Sequence, residues 1–169
     1  MIDESNVNPV YGMSDHYLGE KGKRYFELLL DVGEGTARTN LHVWEPYISE
    51  TEDLLDFGCG VGSLLSRLNC QEKCGVEINP FARHYVREHL NINVVRDTSQ
   101  LSDESFSRII VNHVLEHIPN PYDALLELRR LIKRNGLLLI LLPIEDWRAS
   151  GQKVFKPNDI EPHIYTWTP

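Results

Sequence analysis

Positive charge is in short supply. Seventeen lysines and arginines face 25 aspartates and glutamates, for a formal net charge of −8. A polyanion such as DNA or RNA is repelled by that field, and no basic stripe interleaved with aromatics offsets it. The one basic cluster, "RRLIKR" at residues 129–134, reads as the last turn of a helix, where cations meet the negative end of the dipole. A small-molecule partner is expected, and nucleic acid is not. Cysteine is scarce too: the chain has three, an odd number that suits a reduced protein better than a disulfide scaffold. Long apolar runs are absent. The longest, "GLLLILLP" at residues 136–143, is far too short for a bilayer, and no basic-then-apolar leader opens the chain. A cytoplasmic protein with no membrane partner is the expectation.

What is present suits one domain. The 169 residues are 41% hydrophobic and 25% charged, enough for a single core. The first 19 or so residues show no clear period. Apolar spacing predicts a short helix over residues 21–31 and another over 36–48, the second kinked or ended early by Pro46. The rhythm then changes. Strands are predicted at "DLLDFG" (53–58), "CGVEI" (74–78), "INVVR" (92–96), "SRIIVN" (107–112) and "LLLILL" (137–142). Helices fall between them at "SLLSRL", at "NPFARHYVREHL" with Asn79 as N-cap and Pro80 in the first turn, and at "PYDALLELRRLIKRNG", ending at Gly136. Strands apolar on both faces that alternate with helices imply a parallel sheet covered on each side. The expected fold is a doubly wound α/β domain, with its ligand beyond the C-terminal strand ends at the switch in strand order.

"LLDFGCGVGSLL" is the most informative segment. Gly58, Gly60 and Gly62 come straight off a strand and open onto a helix, where glycine permits a tight turn and close approach of a ligand to the backbone. Asp56 precedes them. A dinucleotide fingerprint needs glycine or alanine at position 63, where Ser63 stands instead. Glu77 closes the next strand, nineteen residues beyond Gly58, and a carboxylate there can accept ribose hydroxyls from a nicotinamide or an adenosyl ligand alike. The loop discriminates between the two, and Glu77 does not.

"NHVLEHIPNP" poses a separate question, because His113, Glu116 and His117 stand in the order H-x-x-E-H. A zinc site built on that motif needs both histidines on one helical face. A strand leads into His113, and Pro119 and Pro121 prevent a long helix after it. No third protein ligand is evident, and Cys59, Cys70 and Cys74 do not supply one. No metal is expected. His117 then either packs in the short turn or, with His113, serves as a general base for a substrate proton.

Taken in order, "LLDFGCGVG", "GVEINP", "VVRDTSQL", "FSRIIVNHVLEHIPNP" and "LLELRRLIKRNGLLLILLP" resemble the class I S-adenosylmethionine-dependent methyltransferases, in particular the ubiquinone-O-methyltransferase-like group acting on small molecules. The resemblance runs from about Asp53 to Pro143. It implies a Rossmann-like fold, S-adenosylmethionine as cofactor with S-adenosylhomocysteine as product, and methyl transfer to an oxygen, nitrogen or carbon nucleophile. It also implies roles for residues. Asp56, Gly58, Gly60 and Gly62 would surround the methionine part, with Cys59 presenting backbone. Glu77 would take the ribose hydroxyls and Ile78 the adenine face, with Asp97 and Thr98 near the adenine amino group. Asn112 and His113 would stand beside the sulfonium, and His113 or His117 would be the base. The N-terminal helices read from their own residues as packed near the sheet, with Tyr17, Tyr25 and Trp44 as core or pocket lining, and the resemblance implies that they close over the cofactor.

The same resemblance divides the chain into an N-terminal helical segment (1–50), a cofactor-binding α/β core (51–143) and an irregular C-terminal segment (144–169). Relatives carry two further strands after the fifth, and no strand–helix–strand pattern follows Leu142 here. Two expectations follow: self-association through the uncovered fifth-strand edge, and, as the alternative to an active enzyme, a cofactor-binding remnant or interaction module without turnover.

Overall fold

The computed structural model describes residues 17–144, 163–165 and 167. Most of the segments read as irregular, residues 1–16 and 145–162, lie outside the described residues. Among the described residues five strands form one sheet in the order β3-β2-β1-β4-β5, with each pairing parallel. They are β1 (Asp53–Phe57), β2 (Glu72–Val76), β3 (Asn93–Val95), β4 (Phe106–Asn112) and β5 (Ile132–Leu141). The helices are α1 (Gly19–Trp44), α2 (Ser63–Arg67), α3 (Pro80–Leu90) and α4 (Pro121–Leu131). The chain winds outward from β1 to β3, then returns to place β4 on the other side of β1. The switch point therefore lies between β1 and β4, and a crevice opens beyond their C-terminal ends.

Neighbouring residues of β1 show why both faces are covered. Leu54 packs with Leu65 of α2, Val86 of α3 and Trp44 of α1. Leu55 packs on the opposite side with Ala124, Leu128 and Leu131 of α4. Each is fully buried, as a parallel sheet sandwiched by helices requires. The predicted N-cap of α3 is present: the Asn79 side chain accepts hydrogen bonds from the amides of Phe81 and Ala82. No helix among the described residues is long and apolar enough to cross a membrane.

The sequence-based element boundaries need two corrections. The two predicted N-terminal helices are one, the 26-residue α1, which continues through Gly33 and Gly35. Mid-helix glycine costs roughly 1 kcal/mol against alanine, and tertiary contact compensates. A Cβ on Gly33 would lie 3.1 Å from Ser63 Oγ and 3.2 Å from Val61 Cγ2, so the bare backbone lets α1 lie close against the glycine loop. Arg67 of α2 pairs with Glu34 on the same stretch. Pro46 does end the helix early, in a 3-10 turn at Glu45–Tyr47.

The other correction is at α4, which stops at Leu131 instead of running on towards Gly136; Ile132, inside the predicted helix, starts β5. The carbonyls of Arg130 and Leu131 accept hydrogen bonds from the amides of Glu104 and Ser105, at 3.0 and 2.9 Å. Helix ends need such outside donors. The Arg130 guanidinium adds bonds to the carbonyls of Leu101 and Thr98 and to Asp103 and Glu127. The predicted cationic last turn is thus in part a staple to the preceding loop. Pairing jumps from Phe106–Ile132 to Arg108–Leu137, so residues 133–136 bulge out, and Gly136 fits where a Cβ would stand 3.0 Å from the Ser107 carbonyl.

Candidate functional site

At the switch point lies a cavity of about 520 Å³, within the usual range for a small-molecule site. Its floor is the turn after β1. Gly58, Gly60 and Gly62 all adopt positive φ, at 80°, 54° and 71°, where a side chain is strained. A Cβ on Gly58 would also stand 2.4 Å from Val114 Cγ2. The amides of Gly58 and Cys59 both donate to the Val76 carbonyl, at 2.8 and 3.1 Å, which ties the loop to the end of β2.

Glu77 follows β2 and is nearly buried on the cavity wall. One carboxylate oxygen accepts from the Gly60 amide and the other from the Asn79 amide, both at 2.8 Å. Each retains lone-pair capacity. Burial pushes the Glu77 carboxyl up, while those two amides and the Arg83 charge pull against it. Arg83 itself donates to the carbonyls of Glu77 and Ile78. The acid is therefore held rigidly before any ligand arrives.

Asp56 lies beneath the loop, almost fully buried, with one oxygen lacking a hydrogen-bond partner. Burial, reinforced by the charge of Glu77, raises its pKa to about 7. Burial likewise drives the Cys59 thiol well above its ordinary value, with Asp56 and Glu77 adding to the effect, so this cysteine is no nucleophile. Its sulfur sits 2.5 Å from where a Cβ on Gly75 would be. Gly75 is required for that reason, a role the strand pattern did not reveal.

Of the residues expected at the site, Gly58, Cys59, Gly60, Glu77, Ile78, Asn112, His113 and His117 line the cavity. Four do not. Asp56 is under the loop, and Gly62 faces α3, where a Cβ would come 2.9 Å from Leu90 Cδ1. The Asp97 carboxylate caps the next short turn through the Ser99 amide, and buried Thr98 donates to Glu127. Arg96, one residue earlier, reaches the lining instead. The opposite wall comes from α1 and the residues before it: Tyr17, Tyr25, Leu29, Thr36 and Asn40. The sequence marked Tyr17 and Tyr25 as possible lining but gave no sign of the other three, because only the joining of two predicted helices into one sets their facing.

The wall beyond β4 differs in character. His113 holds φ 54°, unusual for a residue with a side chain, and its amide donates to Leu141 at 3.0 Å. The Asn112 side-chain oxygen is buried without a hydrogen-bond partner. Glu116 is completely buried, with His113 Nδ1 at 3.4 Å and His117 Nε2 at 4.0 Å from one of its oxygens. Burial pushes the Glu116 carboxyl up, but His113, its own amide and the charge of His117 outweigh that and lower it.

A parallel α/β sheet with a glycine turn and a fixed acid at its switch point defines a nucleotide- or nucleoside-binding domain. The comparisons narrow the class. Residues 55–140 match the methyltransferase domain family, and the chain belongs to it. It is similar to the human thiol S-methyltransferase TMT1B, with 27% identity over 122 residues, 62% of this chain and 50% of that protein. The chain thus spans about half the length of this curated relative. Among solved structures, coclaurine N-methyltransferase bound to N-methylheliamine and SAH superposes with a TM-score of 0.54 and 26% identity, over 62% of this chain and 34% of that one. A SAM-dependent methyltransferase from Archaeoglobus fulgidus gives 0.59 at 22% identity, over 71% and 58%, a likeness of fold.

Proposed function

We propose that the cavity binds S-adenosylmethionine and that the chain moves its methyl group to a nucleophile on a small molecule. The observation that carries this reading is the pairing of a positive-φ glycine turn with a buried, pre-oriented carboxylate at the switch point. The residues fit such a cofactor. Backbone at Gly58, Cys59 and Gly60 is open to the methionine part, with Asp56 beneath as a carboxylate that a nearby ammonium would hold ionised. The remaining lone pairs of Glu77 suit two ribose hydroxyls, and Ile78 offers an apolar face to the adenine. Arg96 takes the place at the wall that the sequence gave to Asp97 and Thr98. The cofactor-binding core is then residues 51–143, with the helical segment before residue 50 supplying the opposite wall through α1.

When bound, the cofactor supplies an electrophilic methyl carbon. The chain's own task is to align the acceptor and exclude water. Tyr17, Tyr25 and Leu29 form an apolar cover for this. His113 faces the same space and suits a base for an acceptor that must lose a proton, with His117 as the alternative. Sulfur joins oxygen, nitrogen and carbon among acceptors, since one relative is named a thiol S-methyltransferase. Self-association through β5 fits its exposed Leu137 and Ile140; monomer alone in concentrated sedimentation runs would remove it.

Calorimetric titration of S-adenosylhomocysteine into the folded chain tests the central reading. Micromolar binding that is lost in Gly60→Val and Glu77→Ala supports it. No binding by the folded wild type refutes it.

A further inference from the structure

The turn after β4 gains a third potential ligand that its own sequence does not contain. The amides of Ile164 and Tyr165 donate to the Glu116 carbonyl at 2.7 and 3.2 Å, and the Tyr165 hydroxyl donates to the Pro119 carbonyl at 2.6 Å. These bonds bring the "HIY" stretch back onto the H-x-x-E-H turn. His163 then packs against His117, with ring centroids 4.9 Å apart. One ligand atom each from Glu116, His117 and His163 lie within 4.8 Å of one another.

We propose that Glu116, His117 and His163 form a binding site for a divalent transition-metal ion of the zinc type in the cavity wall. Glu116 supplies the second, independent reason. It is completely buried, and neither carboxylate oxygen has a well-formed hydrogen bond; its own amide and the imidazoles of His113, at 3.4 Å, and His117, at 4.0 Å, meet it only loosely. A carboxylate is buried in this way at high cost unless a cation or strong donors meet it. The neighbouring imidazoles already favour the charged form; a metal ion bonded to the carboxylate would do so more directly, with His117 and His163 completing the set.

The donors define the ion. Two imidazole nitrogens and one carboxylate suit zinc and its first-row neighbours, whereas magnesium and calcium prefer all-oxygen shells. Zinc ligands at about 2.0–2.1 Å in tetrahedral array stand roughly 3.3 Å apart, so the three groups need to close by an ångström or so. Three protein ligands leave one position open. His117 and His163 both line the cavity, so the open position faces the space beside the glycine turn. An acceptor hydroxyl or thiol bound there would release its proton to solvent more readily, as metal-bound water does. Metal binding stands on the triad alone, while this use of it rests on the methyl-transfer reading. The sequence expectation of no metal weighed His113, Glu116 and His117 with the three cysteines and found no third ligand; the tertiary fold brings His163 to that place.

The experiment is titration of Zn²⁺, and separately Co²⁺, into the full chain after chelator treatment and dialysis. Calorimetry follows the zinc and visible absorption the cobalt. One ion per chain, intense low-symmetry Co²⁺ bands, at least tenfold weaker binding in His163→Ala and Glu116→Gln, and full binding in His113→Ala support the site. No stoichiometric ion on the folded wild type overturns it, as does wild-type affinity in His163→Ala. If Glu116→Gln fails to fold, His163→Ala carries the test, because residue 163 lies outside every strand and helix. Titrating S-adenosylhomocysteine into the same samples separates the two readings: a chain that binds it but takes up no stoichiometric metal overturns the metal site only, and one that takes up metal but does not bind it overturns the cofactor site only.

Discussion

The two walls of the cavity solve their polar problems in different ways. On the β1–β2 side, the Glu77 oxygens are both met by amides from residues 60 and 79, and the Gly58 and Cys59 amides share the Val76 carbonyl. On the β4 side, Asn112 and Glu116 keep buried oxygens without hydrogen bonds, and His113 holds a left-handed backbone without being glycine. On the first wall, among the described residues, only Asp56, beneath the loop, keeps a buried oxygen without a partner; the groups that face the cavity are met. The second carries costs that a ligand would relieve, and such residues cluster at functional sites. The contrast separates pre-built cofactor binding from chemistry that needs a further partner.

The strongest way to break the comparison is to ruin the glycine-turn wall. Gly58→Val combines left-handed strain with a clash against Val114, whose branched side chain is stiff. The expected loss is about 3–5 kcal/mol in urea unfolding, from strain and overpacking together, with no S-adenosylhomocysteine binding. A second test uses Asp56. The folded chain retains the proton that the unfolded chain gives up near pH 4, because the folded pKa is about 7. Stability contributed by this group falls as pH rises from about 4 to 7 and is level above that, at about 1.4 kcal/mol per unit while the slope lasts. Asp56→Asn should flatten the profile of the ligand-free protein and stabilise it by a few kcal/mol at pH 8 relative to wild type. A wild-type melting profile that does not decline between pH 5 and 7 counts against the shift.

Glu77→Ala should cost less stability, about 1–3 kcal/mol, since the two amides it serves lose their partner. Its larger consequence is at least a tenfold loss of S-adenosylhomocysteine affinity in calorimetry. The smallest effect is expected on the incomplete wall. His113→Gly removes the left-handed strain but adds chain entropy in the unfolded state and takes an imidazole from buried Glu116, opposing effects that leave a net change within about 1 kcal/mol. Methyl transfer should fall while S-adenosylhomocysteine binding holds; equal losses of both would make His113 part of the cofactor wall instead.

Legibility followed the range of the interactions. The glycine turn, Glu77 and the Asn79 cap were readable because each is made by residues close in sequence or by a strand–turn–helix unit of fixed geometry. The end of α4 was not. Helix propensity and Gly136 both pointed past Leu131, and the helix stops where Glu104 and Ser105 take its last carbonyls. The gap predicted inside α1 failed for the same reason: Gly33 looks like a breaker until Val61 and Ser63 are seen packed against it. Asp97 and Thr98, expected at the end of β3, fall just past its last residue, Val95, in the 3-10 turn that follows, and their side chains turn to a local cap and to Glu127.

The sequence by itself determined the alternation of strands and helices, and with it the parallel sheet and the switch point where a ligand must sit. It also determined the glycine turn and the acid, because backbone freedom and side-chain chemistry there are properties of single residues. Only the tertiary structure decided which groups face the cavity from α1 and which histidine joins Glu116. Those choices depend on hydrogen bonds between segments far apart in the chain, and the spacing of residues along one segment carries no record of what folds back to meet it.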